Sequence, residues 1–177
     1  MKTYNNVIPS EYCFWLITLY QQLSKLPCPT DYNSRALVSY WAVKKHYEQD
    51  ADTFKSIVVR CQETIDIPEL FVESFFLASM IPGDDMVAHA DSEKEEHGRW
   101  VPNHTPQRDH TGILYLNDGV VGGELVVNGQ IIPPREGLLV SFPANHEYAH
   151  EVKKVISGNR YSLPIWFTKN PARAMRL

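Results

Sequence analysis

His150-Glu151-Val152-Lys153-Lys154-Val155-Ile156-Ser157-Gly158-Asn159-Arg160-Tyr161-Ser162-Leu163-Pro164-Ile165-Trp166-Phe167 is the stretch whose reading decides the fold. Two apolar runs, Ala149 to Ile156 and Arg160 to Phe167, flank a Ser157-Gly158-Asn159 turn signal, and both are rich in the branched and aromatic residues of β-strands. The spacing predicts a hairpin. With a two-residue turn, Arg160 would face Val155 and stand about five residues, or roughly 16 Å, along the ladder from His150. Alternation puts Ser162, Pro164 and Trp166 on the same face as Arg160.

Working back toward the N-terminus, the same texture holds as far as Leu70. Short apolar runs cover Phe71 to Ile81, His110 to Leu116, Glu124 to Val127, Gln130 to Ile132 and Gly137 to Phe142. Turn residues separate them: Pro82-Gly83, Asn117-Asp118-Gly119, Asn128-Gly129, Pro133-Pro134 and Pro143. Asn128-Gly129 is a strong signal for a tight hairpin. Ser92 to Gln107 is polar and patternless, which predicts a long loop suited to a lid. Before Leu70 the period changes. Cys13, Leu16, Ile17, Tyr20 and Leu23 recur at helical spacing behind a candidate cap at Ser10, and Pro27 and Pro29 should end that helix. Ala36 to Val43 fits strand or helix. A further helix from about Ala51 to about Thr64 puts Phe54, Ile57, Val58 and Cys61 on one face, with Pro68 behind it as a stop. Helices first and strands afterwards predict an α+β fold, mainly β: one domain, with helical support over about 1–69 and a jelly-roll core over about 70–170.

At 177 residues, with 44% hydrophobic and 21% charged residues, the chain is of ordinary globular composition. A formal charge of −4 gives no basic field for a phosphate backbone, so nucleic acid is not an expected partner. The apolar run Tyr12 to Tyr20 is too short to span a bilayer and lacks a cleavage pattern, so no membrane association is expected either. Cys13, Cys28 and Cys61 form no Cys-x-x-Cys pattern and suggest a reduced, cytoplasmic setting. Asn103-His104-Thr105 matches the glycosylation triplet, and without a secretory signal it reads as coincidence.

His89 and Asp91 are two residues apart at what reads as a strand end, so both side chains leave one face. With His150 they make two imidazoles and a carboxylate, the facial set that leaves three adjacent positions open on non-haem iron(II). A 2-oxo acid can take two of those positions and dioxygen the third. A co-substrate with a second carboxylate also needs a buried cation, and Arg160 suits that task because its planar fork stays charged when buried. Arg108 reads either as a surface residue or as a cation at the pocket mouth. Trp41 and Trp100 read as core or lid residues, His97 and His104 as solvated loop residues, His110 as an edge residue near the pocket, and His146 as a loop residue before the final hairpin.

From Phe75 to Phe167 these stretches resemble the prolyl 4-hydroxylase-like branch of the 2-oxoglutarate oxygenases. The matching segments are Pro82-Gly83 leading to His89-Ala90-Asp91; Arg108-Asp109-His110-Thr111 leading to Tyr115-Leu116-Asn117-Asp118; Gly122-Gly123-Glu124; Pro133-Pro134-Arg135-Glu136-Gly137; His150-Glu151-Val152; and Gly158-Asn159-Arg160-Tyr161 running to Trp166. The resemblance implies a double-stranded β-helix that binds Fe(II) through His89, Asp91 and His150. It implies a salt bridge from Arg160 to 2-oxoglutarate, helped by Tyr115, with Thr111, Ile113, Ser162 and Trp166 around the co-substrate. The reaction implied consumes O2, with ascorbate as a reductant, and hydroxylates peptidyl proline or an amino-acid-type molecule near Arg108 and Met86. An intact Asp91 implies hydroxylation rather than halogenation. The family's tyrosines are replaced here by Met80 and Met86, and Leu125 follows Glu124 where many members have threonine. Two rivals are a silent jelly-roll binding module and a cupin-type metal enzyme, the latter disfavoured by the lack of a His-x-His pair followed by Glu; hydroxylation of an unrelated small metabolite is a third outcome.

Overall fold

The computed structural model describes residues 1–26, 31–32 and 35–176. The N-terminal part runs β1 (Lys2–Tyr4), α1 (Ser10–Leu23), β2 (Asp31–Tyr32), β3 (Arg35–Ala36), β4 (Val38–Ser39), α2 (Tyr40–His46) and α3 (Glu48–Ile65). Helix α1 begins at Ser10 itself. Pro9 takes the cap position, its carbonyl accepting from Tyr12 and Cys13, so Ser10 is not the cap. Its expected stop at Pro27 and Pro29, and Cys28, lie outside the described residues. Ala36 to Val43 turns out to be both alternatives in succession, strand β4 and then α2, whose cap is the Ser39 hydroxyl accepting from the Ala42 amide. In α3 the buried stripe includes Phe54, Ile57, Val58 and Cys61 as expected, and Asp66 in the left-handed region ends the helix before Pro68 is reached. No described helix is long and apolar enough to cross a membrane.

The C-terminal part runs β5 (Phe71–Met80), β6 (Met86–His89), β7 (Glu93–Glu96), β8 (Arg99–Pro102), β9 (His110–Tyr115), β10 (Val121–Gly122), β11 (Leu125–Val127), β12 (Gln130–Ile132), β13 (Leu139–Pro143), a 3-10 turn (His146–Tyr148), β14 (His150–Val152), β15 (Val155–Ser157) and β16 (Arg160–Thr168). Two antiparallel sheets face each other. The larger has the order β1-β13-β9-β16-β5-β4 and the smaller β12-β11-β14-β6. This is the jelly roll expected.

Alternation along the larger sheet sorts its side chains into two cores. Phe75, Leu77, Leu114, Leu116, Leu163, Ile165 and Phe167 face outward and pack with Leu16, Leu19, Phe54, Val58 and Ile65 of the helices. Met80, Ile113, Tyr115, Val140 and Phe142 face inward against Leu125, Val127 and Val152 of the smaller sheet. The helices therefore back one sheet and leave the interior between the sheets for a site.

Two expectations are corrected. The runs around Ser157-Gly158 do not pair with each other: β14 pairs with β11 and β6, β15 with β10, and β16 with β9 and β5. The turn is a crossover between sheets, because Arg160 begins the central strand of the larger one. Ser92 to Gln107 is not patternless either. It holds the hairpin β7–β8, turned at His97 and Gly98 with φ of 51° and 75°. Asn128-Gly129 turns β11 into β12 as expected, with φ of 50° and 73°.

Candidate active site

His89 ends β6 and His150 opens β14, and the two are direct partners in the antiparallel ladder. Their rings stand 4.4 Å apart. Asp91, just past the end of β6, turns its carboxylate toward both: Oδ1 lies 3.8 Å from His89 Nε2 and Oδ2 lies 3.8 Å from His150 Nε2. Those separations are too long for hydrogen bonds. One ligand atom from each of the three lies within 4.8 Å of the others, the arrangement of a set that could hold a metal ion.

The imidazoles are prepared for that role. His89 Nδ1 is 2.9 Å from the Val87 carbonyl and His150 Nδ1 is 3.2 Å from the Tyr148 carbonyl. A carbonyl only accepts, so each Nδ1 carries the proton and each Nε2 lone pair faces the centre. Burial pushes the His150 imidazole down to about 4, against the opposing pull of Asp91 and with help from His89. His150 is therefore neutral near pH 7, and its approach to Asp91 is not an ion pair.

Asp91 is fixed from several directions. Its amide donates to the Ala144 carbonyl at 3.1 Å. Its own carbonyl accepts from the Thr105 hydroxyl at 2.8 Å and from Asn103 Nδ2 at 3.2 Å. Thr111, expected only to line a pocket, donates its hydroxyl to Asp91 Oδ2 at 2.6 Å. Sequence reading gave Asn103 and Thr105 no part in the site; their sole signal was their place inside the Ser92 to Gln107 stretch.

Arg160 is 4% exposed. Its Nε donates to the Gly123 carbonyl at 3.0 Å, Nη1 to the Ser162 hydroxyl at 3.2 Å and to the Met80 sulfur at 3.7 Å, and Nη2 to the Tyr115 hydroxyl at 3.2 Å. The guanidinium also lies over the Tyr115 ring. All these partners are neutral, and among the described residues no carboxylate pairs with it. A buried cation left so is costly unless an anion joins it.

The trio and Arg160 line one cavity of about 610 Å³, together with Thr111, Ile113, Ser162, Pro164 and Trp166. Alternation thus placed Ser162, Pro164 and Trp166 correctly. The ladder relation of Arg160 to His150 is corrected: they project from facing sheets, not along one hairpin. Trp166 Nε1 is buried and, among the described residues, has no hydrogen-bond partner.

Arg108 and Met86 both line this cavity. Arg108 is largely buried and partnered: Nε lies 3.2 Å from Glu73 and the guanidinium covers the Trp166 ring at 4.1 Å. Burial raises the Glu73 carboxyl, yet hydrogen bonds from Ser74 and Gln107 and the Arg108 charge bring it below the usual range. His104 is an exposed loop residue as expected, and it also lines the cavity.

His110 is a correction. It lines a second, smaller cavity of about 210 Å³ beside Tyr4, Ile65, Ser141 and Tyr148, with Nε2 2.6 Å from the Ser141 hydroxyl. Position 110 alternates to the outer face of β9, where Thr111 alternates inward. His97 is exposed at the turn of the β7–β8 hairpin. His146 anchors the β7–β8 hairpin: it is 2.7 Å from Glu93 and stacks on Trp100, centroids 5.2 Å apart. Trp41 is 55% exposed and belongs to neither core nor cavity.

The family model described as the 2OG-Fe(II) oxygenase superfamily matches residues 75–168. Human prolyl 3-hydroxylase 2 is 34% identical over 88 residues, which is 46% of this chain and 12% of that protein's length. A viral collagen prolyl hydroxylase from Paramecium bursaria Chlorella virus-1, solved with 2OG, superposes with a TM-score of 0.65 at 18% identity, covering 94% of each chain. HygX from Streptomyces hygroscopicus, solved with nickel and 2-oxoglutarate, gives 0.66 at 12% identity over 94% of this chain and 81% of that one. At such identities the two structures show a shared fold. The family match spans more than half of the chain and includes both the histidine-aspartate trio and Arg160: this chain belongs to the 2OG-Fe(II) oxygenase superfamily.

Proposed function

We propose that this chain hydroxylates a C–H bond of a peptide or amino-acid-type substrate, with peptidyl proline as the leading candidate, while 2-oxoglutarate is decarboxylated to succinate and CO2. In this reading His89, Asp91 and His150 hold Fe(II), and Arg160 binds the far carboxylate of 2-oxoglutarate with Tyr115 and Ser162 beside it. The observation that carries it is the buried Arg160, which has only neutral partners in the cavity that the trio also lines. A dicarboxylate reaching from an ion to that guanidinium would supply the missing anion.

The donor set fits the metal. Two imidazoles and one carboxylate suit iron(II), and both rings are oriented by backbone carbonyls at Nδ1. When bound, iron and 2-oxoglutarate activate dioxygen, chemistry that no side chain supplies. The chain's own part is positioning. Ile113, Leu125 and Val152 give the cavity apolar walls that exclude water, and Ser162 and Tyr115 fix the tilt of the guanidinium. Arg108 and Met86 line the same cavity and are the residues assigned to the substrate, with Trp166 beside the co-substrate. A peptide substrate is supported by the prolyl hydroxylases among the similar proteins.

Incubation with Fe(II), ascorbate, O2 and 2-oxoglutarate tests this, reading succinate and the mass of added oxygen on proline-containing peptides and on free amino acids. Succinate with oxygen on peptides is the expected result. Metal-loaded protein that yields neither, across both substrate sets, would reduce the chain to a binding module.

A further inference from the structure

We infer that Thr111 is a positioning residue that fixes which carboxylate oxygen Asp91 offers to the metal, and so keeps a coordination position free for the co-substrate. The inference rests on the proposed metal ligation by Asp91. Thr111 sits on β9 of the larger sheet and reaches across the interior to a ligand carried by the smaller one. Both residues are buried, at 1% and 6% exposure.

The backbone around Asp91 is already held by Ala144, Thr105 and Asn103. What remains is rotation of the carboxylate itself. A hydroxyl has a single proton to donate, and Thr111 commits it to Oδ2 at 2.6 Å. Oδ1 is then the better donor toward the ion.

The count of positions makes this matter. Three protein ligands, two oxygens of a 2-oxo acid and one dioxygen fill an octahedron. A carboxylate that coordinates through both oxygens, as carboxylates can, would occupy a place that the co-substrate needs. Thr111 guards that place without touching the metal.

Co(II) is the probe, since its visible absorption reports coordination geometry in the absence of turnover. The wild-type protein should bind Co(II), and Asp91→Ala should not. Thr111→Val should keep Co(II) affinity within about 3-fold, alter the visible spectrum, and weaken 2-oxoglutarate binding to the Co(II) protein by about 10-fold or more, the scale of lost support behind a ligand. Thr111→Ser, which restores the hydroxyl, should return both readouts to wild type; Thr111→Ala serves if the valine variant fails to fold.

Three outcomes overturn the inference: no change in spectrum or 2-oxoglutarate affinity, weakened 2-oxoglutarate with an unchanged Co(II) spectrum, or a folded Thr111→Ser that behaves like Thr111→Val. The second would make Thr111 a direct co-substrate contact. Co(II) binding that survives in Asp91→Ala strikes instead at the metal assignment itself.

Discussion

Arg160→Ala removes the buried guanidinium that faces the cavity with no anion of its own. Losing one partner of a desolvated charge pair costs about 2–5 kcal/mol, so 2-oxoglutarate binding is expected to weaken by about 30-fold or more. Co(II) affinity should change by less than about 3-fold, because the trio keeps its own hydrogen bonds; titration with each ligand reads both. Arg160→Lys should rescue only in part, since a point charge cannot reproduce the fork that reaches Gly123, Ser162 and Tyr115 together. At this scale the sequence was most informative where residue type dictates chemistry. His89, Asp91, His150 and Arg160 could be picked out because few side chains bind metals or hold a buried positive charge. Glu73 could not, because its meeting with Arg108 lies 35 residues away in sequence and depends on how β5 and β9 flank β16. Thr111 was legible as a pocket residue, but its bond to Asp91 required knowing where a loop returns.

The hairpin β7–β8 is held to the body by the Glu93–His146 pair and the Trp100–His146 stack. Trp100→Ala should loosen it, raising tryptic cleavage at Arg99 and the KM for substrate several-fold while leaving the KM for 2-oxoglutarate unchanged; stacked aromatic contacts contribute on the order of 1 kcal/mol. Equal shifts in both constants would mean that the hairpin braces the whole cavity. Gly122 makes a sharper demand. Its φ is +77°, and an added Cβ would lie 2.2 Å from the Lys154 carbonyl oxygen. Gly122→Ala should therefore disturb the β10–β15 pairing next to Gly123 and lower the melting temperature by several degrees, read by calorimetry. Strands packed on both faces announced themselves as short apolar runs between turn signals, as β9 and β16 did. The hairpin β7–β8 did not, since Glu93-Lys94-Glu95-Glu96 has no apolar face to reveal its period. Helix α3 was legible for the opposite reason, a complete apolar stripe.

Sheet order was the part least open to sequence reading. Ser157-Gly158 looks like a hairpin turn because local residues set the turn, whereas the crossover is decided by β16 finding its place between β9 and β5. Stability of the assembled sandwich should depend on pH through His110. Burial, then the amino group of Met1 and the Lys169 and Lys2 charges, push that imidazole down to about 4, so the fold keeps it neutral. Its contribution is complete above about pH 6.5, the ordinary imidazole value, and drains away as pH falls toward 4, because the unfolded chain then binds the proton more readily. Melting temperature should fall across that window, and His110→Gln should flatten the decline. Metal should act in the opposite sense: Co(II) at 100 times its dissociation constant is expected to add about 2.7 kcal/mol of stability, removed again by chelation. Asn103 carries a last consequence. Its side-chain amide, the acceptor nitrogen of a glycosylation triplet, is already spent on the carbonyl of Asp91. A sugar on that nitrogen would leave it a single N–H and would crowd the carbonyls of Ala90, Asp91 and Glu93 that it now meets, so glycosylation there is expected to loosen the carboxylate loop and weaken metal binding.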